Sequence, residues 1–127
     1  MARKYKILII DDDEFLVDMY SIKFREQGFE VEIAFSGNEA IEKIKNGLNP
    51  DMILVDLVMP NMDGFEFLRE IKNKGIAKNS KLIILTNLGQ EDDIKKGLAL
   101  GADDYVIKAH FTPSEVIKKV TAVLEHD

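Results

Sequence analysis

Four groups of polar side chains stand where they could handle a divalent cation and a phosphoryl group together. They are the acids Asp11, Asp12 and Asp13, the lone acid Asp56, the hydroxyl of Thr86 and the ammonium of Lys108. Each closes an apolar run: Ile7-Leu8-Ile9-Ile10, Met52-Ile53-Leu54-Val55, Leu82-Ile83-Ile84-Leu85 and Tyr105-Val106-Ile107. Carboxylates brought together repel one another, so such a cluster either raises its pKa values or binds a cation. Carboxylate and carbonyl oxygens suit Mg²⁺, which would neutralise the cluster and leave one carboxylate free to act. Acids that follow a strand often cap the next helix, and that explanation covers any one of Asp11 to Asp13. Three in a row exceed what a cap requires. Asp56 is followed by the extended stretch Leu57-Val58-Met59-Pro60, with no helix start for it to cap.

The elements that must position these groups follow from the same runs. Short continuous apolar segments separated by helical patterns read as parallel strands buried on both faces. Strands are expected over residues 5–10, 30–35, 52–55, 81–86 and 104–107. The first helix is expected over 14–27, with Gly28 as its stop, and a core-facing set of Leu16, Tyr20 and Phe24. That leaves Phe15, Met19 and Ile22 facing partly outward. Ser36 and Glu39 have capping-box spacing for the second helix, which ends at Asn46-Gly47. Asp63-Gly64 opens a third helix with Phe65, Leu68 and Ile71 on one face, and Gly75 ends it. The fourth covers about 91–100, and Thr112-Pro113-Ser114-Glu115 starts a fifth that runs to about 125. The result is an α/β chain, a doubly wound (βα)5 sandwich of flavodoxin-like type with strand order 2-1-3-4-5. Ligands of such sheets bind outside the carboxyl ends of the strands, at the switch point between strands one and three. Those two strands carry Asp11-Asp12-Asp13 and Asp56.

Bulk properties agree with one domain over residues 1–127: 46% hydrophobic and 31% charged residues, and no linker or low-complexity stretch. No apolar run exceeds four residues, so membrane insertion is not expected. Met1-Ala2-Arg3-Lys4 leads into the first strand without an apolar signal region. The absence of cysteine suits a cytoplasmic location. A net charge of −6 disfavours direct contact with nucleic acid. His110 and His126 are isolated, and one imidazole without a partner is weak evidence for chemistry.

Two other chemistries compete on this topology. Binding of FMN phosphate in the first strand–helix loop is discarded, because Asp-Asp-Asp-Glu there would repel it. An aspartyl phosphatase of the haloacid dehalogenase type would use the spacing of Asp11 and Asp13, but Phe15 stands where a Thr belongs. The chain instead resembles the receiver domain of two-component response regulators. The resemblance rests on Ile10-Asp11-Asp12, Asp56-Leu57-Val58-Met59-Pro60-Asn61-Met62-Asp63-Gly64, Thr86, and Gly101-Ala102-Asp103-Asp104-Tyr105-Val106-Ile107-Lys108.

That resemblance implies a phosphorylation-dependent switch. Asp56 would accept a phosphoryl group from a histidine kinase or histidine phosphotransfer protein, as carboxylate nucleophiles do. Asp11, Asp12, Asp56 and the backbone carbonyl of Val58 would hold Mg²⁺, with Mn²⁺ as a substitute. Thr86 and Lys108 would bind the phosphoryl oxygens, and Asp13 would cap the first helix. Thr86 and Tyr105 would carry the switch to the face of helix four, strand five and helix five, where a downstream protein or effector domain docks. Phe15 would serve kinase docking. Beyond its own phosphorylation and dephosphorylation, no enzymatic activity is implied. The expectation is that the sequence as it stands carries no effector, being either a stand-alone regulator or a piece of a longer protein.

The chain departs from the receiver pattern at three places. Ala109 follows Lys108 where the family has a cis-linked proline, so the loop either bears the cost of a cis bond, about 2.5–4 kcal/mol, or takes a trans path that shifts Lys108. Asn87 replaces a small residue beside Thr86, which would narrow access or restrict the switch. Val58 and Leu88 are apolar at positions flanking the path of the hydrolytic water, which implies a long-lived phosphate. A receiver retained only as a constitutive docking module is the rival expectation, supported by Ala109 and Asn87.

Overall fold

The computed structural model describes residues 4–126. Met1 to Arg3 and Asp127, counted in the single domain above, lie outside them. Five parallel strands, β1 (Lys6–Ile10), β2 (Glu30–Ala34), β3 (Met52–Val55), β4 (Lys81–Thr86) and β5 (Asp104–Ile107), alternate with α1 (Glu14–Glu26), α2 (Gly37–Lys45), α3 (Gly64–Lys74), α4 (Glu91–Ala99) and α5 (Pro113–Glu125). The sheet order is β2-β1-β3-β4-β5, as the alternating pattern predicts.

Side chains alternate across the pleat and build a core on each face. On one face Leu8, Ile10, Ile53, Val55 and Ile84 pack with Phe67, Leu68 and Ile71 of α3 and Ala40 and Ile41 of α2. On the other, Ile7, Ile9, Leu54, Ile83 and Val106 meet Val17, Tyr20 and Phe24 of α1 and Val116 and Val120 of α5. Phe24 also meets Phe29 edge to face, with centroids 5.0 Å apart. A fully buried side chain of this size contributes about 1.5–3 kcal/mol. A buried polar group left unsatisfied loses about 1–3 kcal/mol. Two such apolar layers can therefore carry a small number of uncomfortable polar groups at the sheet's edge.

The registers bring those groups level. Ile10 pairs with Val55, Val55 with Ile84, and Thr86 with Ile107. Asp11 and Asp56 are thus the first residues beyond a matched pair, and Lys108 is the first beyond another.

Local sequence explains the helix ends. Thr112 and Glu115 form a complete capping box with Pro113 in the first turn. Gly75 closes α3 in the left-handed region at φ 65°, which a side chain would resist. Two expectations need correction. Ser36 accepts from Glu39 N–H at 3.1 Å, but the Glu39 carboxylate accepts from Phe35 N–H at 3.4 Å. The reciprocal half of the box is therefore displaced by one residue. In α1 the buried stripe is Val17, Tyr20, Ser21 and Phe24, and Leu16 is half-buried and packs against the edge of the same core. A strict four-residue step drifts off the face of a 3.6-residue helix, so the stripe takes in Val17 and Ser21 beside Tyr20 and Phe24. Phe15 and Ile22 are exposed as anticipated, at 88% and 57%, while Met19 packs partly against the core.

Candidate functional site

β1 ends in a divided acidic run. Asp11 is buried and its Oδ1 accepts from Asp13 N–H at 3.0 Å. Asp13 turns away to cap α1, accepting from Phe15 N–H at 3.1 Å and Leu16 N–H at 3.2 Å. Asp12 between them is exposed. One acid is thus spent on the helix, and two remain.

β3 delivers the third carboxylate. Asp56 N–H donates to Ile10 O at 3.0 Å, which extends the ladder by one rung and sets Asp56 beside Asp11. Its Oδ1 accepts from Val58 N–H at 3.3 Å. The loop then folds back over it, with Gly64 N–H donating to Leu57 O at 3.1 Å. A Cβ on Gly64 would lie 2.4 Å from Asp56 O and 2.8 Å from Leu57 Cα, so only glycine fits there. Asp63 caps α3 through Glu66 N–H at 2.9 Å. Asn61 takes the left-handed turn at φ 70°.

Lys108 joins the two strands. Its Nζ donates to Asp11 Oδ2 at 2.7 Å and to Asp56 Oδ2 at 3.0 Å. Burial opposes the charge on Lys108, but its hydrogen bonds and the charges of Asp11 and Asp56 outweigh that and raise its pKa. Burial also pushes Asp11 above the usual carboxylate value, with Lys108 and the Asp13 N–H working against the shift. One carboxylate oxygen from each of Asp11, Asp12 and Asp56 lies within 4.8 Å of the others. Lys108 thus bridges two of the three acids, and among the described residues no second cation is ion-paired with them. Hard oxygen donors at that spacing fit Mg²⁺.

The hydroxyl predicted to complete the site stands back from it. Thr86 is fully buried, and its Oγ1 accepts from Leu88 N–H at 3.4 Å. Among the described residues it makes no hydrogen bond to the carboxylates. The Tyr105 hydroxyl donates to the Leu88 carbonyl, so strand β5 and the β4–α4 loop are tied at this point. Burial first, then the charges of Asp93 and Asp56, push the Tyr105 phenol up to about 12. Val58 and Leu88 sit on the exposed rim, at 58% and 36%. His110 is an exposed member of a short 3-10 turn, Lys108–His110.

No peptide among the described residues is cis, so Lys108–Ala109 is trans. The trans path does not carry Lys108 away, since it still reaches both acids. Sequence reasoning missed why. Ala109 N–H donates to Asn87 Oδ1 at 3.0 Å, which joins the two departures from the pattern. The available signal was chemical: alanine has the N–H that proline lacks, and asparagine supplies an acceptor.

A model of the response regulator receiver domain matches residues 7–121. The chain belongs to the response-regulator receiver family. A Francisella receiver, the response regulator 1452 receiver domain, is 34% identical with a TM-score of 0.86, covering 96% of this chain and 98% of that one. The Vibrio cholerae chemotaxis protein CheY4 is 30% identical with a TM-score of 0.87, over 95% of this chain and 99% of that one. A two-component response regulator from Clostridium difficile is 28% identical with a TM-score of 0.88, over 97% and 98%. This receiver therefore has the fold of two-component signalling switches, and its aspartate cluster fits a phosphorylation site. No helix among its described residues is long and apolar enough to cross a membrane.

Proposed function

We propose that this receiver accepts a phosphoryl group on Asp56 from a histidine kinase or histidine phosphotransfer protein. The observation that carries the reading is Lys108 bridging Asp11 and Asp56, with Asp12 close enough to join them. In the reaction a bond forms between an Asp56 carboxylate oxygen and phosphorus. The phosphorus–nitrogen bond of the donor breaks, and the imidazole leaves with the electron pair. Asp11, Asp12 and Asp56, with the carbonyl of Val58, would hold Mg²⁺ or Mn²⁺. When bound, the ion supplies positive charge against the carboxylates and the phosphoryl oxygens. Lys108 supplies a second, fixed positive charge for a phosphoryl oxygen, and Thr86 donates its hydroxyl to another. The residues do little covalent chemistry beyond the attack itself. They position and neutralise.

The output is a two-state response. Thr86 gives up its local bond with Leu88 N–H to reach the phosphoryl group, and Tyr105 follows into the space left behind. The face of α4, β5 and α5 changes with them and receives the downstream protein or effector domain. The exposed Phe15 on α1, beside the acids, serves the kinase or phosphotransfer partner. The protein acts in the cytoplasm. Its only catalysis is of its own phosphorylation and dephosphorylation. The intact reach of Lys108 speaks against a receiver kept only for docking.

Incubation with acetyl phosphate and Mg²⁺, borohydride reduction and peptide mapping test the reading. Homoserine should replace aspartate at position 56, and a label at Asp11 or Asp12 would overturn the assignment. Lifetime is a separate matter. Val58 and Leu88 present apolar side chains at the rim and exclude the hydrolytic water, so the phosphate is long-lived. The pair Val58→Asn with Leu88→Glu should hasten its loss in a decay assay, and an unchanged decay rate would remove the idea.

A further inference from the structure

The turn that carries Lys108 has little to hold it. Lys108, Ala109 and His110 form a single 3-10 turn in which Lys108 is half-buried and the two residues after it are exposed. Its own closing bond, Phe111 N–H to Lys108 O, is long at 3.4 Å. The β4–β5 ladder has already ended at the pair Thr86 and Ile107. Past that point, the short bond across the gap is the one from Ala109 N–H to Asn87 Oδ1, at 3.0 Å. The adjoining loop also lies against β5: a Cβ on Gly89 would meet Ile107 Cδ1 at 3.0 Å.

We propose that Asn87 is a positioning residue for phosphoryl transfer. Its carboxamide oxygen holds the Ala109 N–H and thereby aims Lys108 at Asp56. The role rests on the reading of Asp56 as phosphoacceptor. Lys108 has a long flexible stem, and its ammonium can be held at two carboxylates only if its Cα is fixed. Burial does not fix it, and neither does a proline ring. The Asn87 side chain does so by adding one rung beyond the end of the sheet, on the residue that follows Thr86. The two groups proposed to contact the phosphoryl oxygens thereby stand at the ends of β4 and β5 on segments that share a hydrogen bond. A proline at 109 would have no donor for that bond, so asparagine at 87 and alanine at 109 act as a pair.

The test compares wild type, Asn87→Ala, Lys108→Ala and the double variant, all as the full chain. Two readouts are used: the initial rate of phosphorylation by acetyl phosphate at saturating Mg²⁺, and hydrogen exchange at the Ala109 amide. Asn87 is exposed, so Asn87→Ala should leave folding intact. Loss of one hydrogen bond of this kind should slow phosphorylation by roughly threefold to tenfold and speed Ala109 exchange by a similar factor. Asn87→Asp keeps an acceptor at the same reach and should restore the protection of Ala109. In the Lys108→Ala background, Asn87→Ala should change the residual rate by less than about twofold, because the two residues act through one group. An Asn87→Ala rate equal to a reactive wild type overturns the positioning role, as does an undiminished effect in the absence of Lys108. A wild type that takes up no phosphoryl group overturns the phosphoacceptor reading, and this role with it.

Discussion

The two ends of the same five strands use polar side chains in opposite ways. At the amino end, Asp51 accepts from Lys6 N–H at 2.9 Å and Asp103 from Leu82 N–H at 2.8 Å. The Ser80 hydroxyl there donates to Pro50 O at 2.6 Å. Each of these groups satisfies a backbone atom of a neighbouring segment. At the carboxyl end, Asp11, Asp12 and Asp56 face one another, and among the described residues Lys108 is the one cation bonded there, to Asp11 and Asp56. Both ends are rich in aspartate, so composition alone does not separate them. The partner does. Asp51 and Asp103 tie down backbone N–H groups of a distant strand and so hold the fold together, whereas Asp11 and Asp56 accept N–H groups only two residues on and stand against each other, held there by the fold.

That contrast can be broken by exchanging the consequences of mutation at the two ends. Asp56→Ala should abolish the phosphoryl adduct while leaving thermal stability undiminished. Asp103→Ala should leave the adduct unchanged and lose about 1–3 kcal/mol of stability, because Leu82 N–H loses its partner. Parallel mass spectra and melting curves check both arms, and the reverse pattern would erase the distinction.

Metal addition sharpens the contrast next. At a hundredfold excess over its Kd, Mg²⁺ should stabilise the native state by about 2.7 kcal/mol. Asp12 is exposed, so Asp12→Ala should remove most of that gain without lowering the metal-free melting point. Variants at Asp51 or Asp103 should keep the full gain.

The β3–α3 loop gives a smaller effect. A methyl group on Gly64 would press on the Asp56 carbonyl and the Leu57 backbone. Gly64→Ala should lose about 1–3 kcal/mol in denaturant unfolding and slow phosphorylation as well, since the loop must lift off Asp56. Loss of stability with no change in rate would show that the loop does not position the acid.

The smallest effect is a titration. With its pKa raised from 10.0 to about 12, Tyr105 should contribute stability fully below pH 10 and lose it as pH climbs through 12. Tyr105→Phe should delete a tyrosinate component near the upper value in a near-ultraviolet titration. Disappearance of a component near 10 instead would mean that the ring is free of the burial and of the Asp93 and Asp56 charges that raise its pKa.

The strands were legible because fully apolar runs such as Met52 to Val55 leave few alternatives to a buried parallel strand. The site was legible because its residues stand at the ends of those runs, and a parallel sheet aligns the ends. Sequence reading faltered where one residue's role depends on another distant in the chain. Val17 shares its core with Val116 and Val120 of α5, far along the chain. Asn87 and Ala109 each looked like a defect. Separated by 22 positions, they form one hydrogen bond, and only the β4–β5 register brings them together. Glu39 found Phe35 rather than Ser36 for a related reason, since cap spacing specifies reach but leaves open which of two adjacent amides is met.

Among the acids at the carboxyl end, Asp56 is the proposed phosphoryl acceptor. Intact-protein mass spectrometry after incubation with acetyl phosphate and Mg²⁺ tests that assignment most directly, with Asp56→Ala and an EDTA-treated sample alongside. One added phosphoryl group is expected on the wild type and none in either control. An adduct that persists in Asp56→Ala, or a folded, Mg²⁺-binding wild type that acquires none, would contradict the assignment.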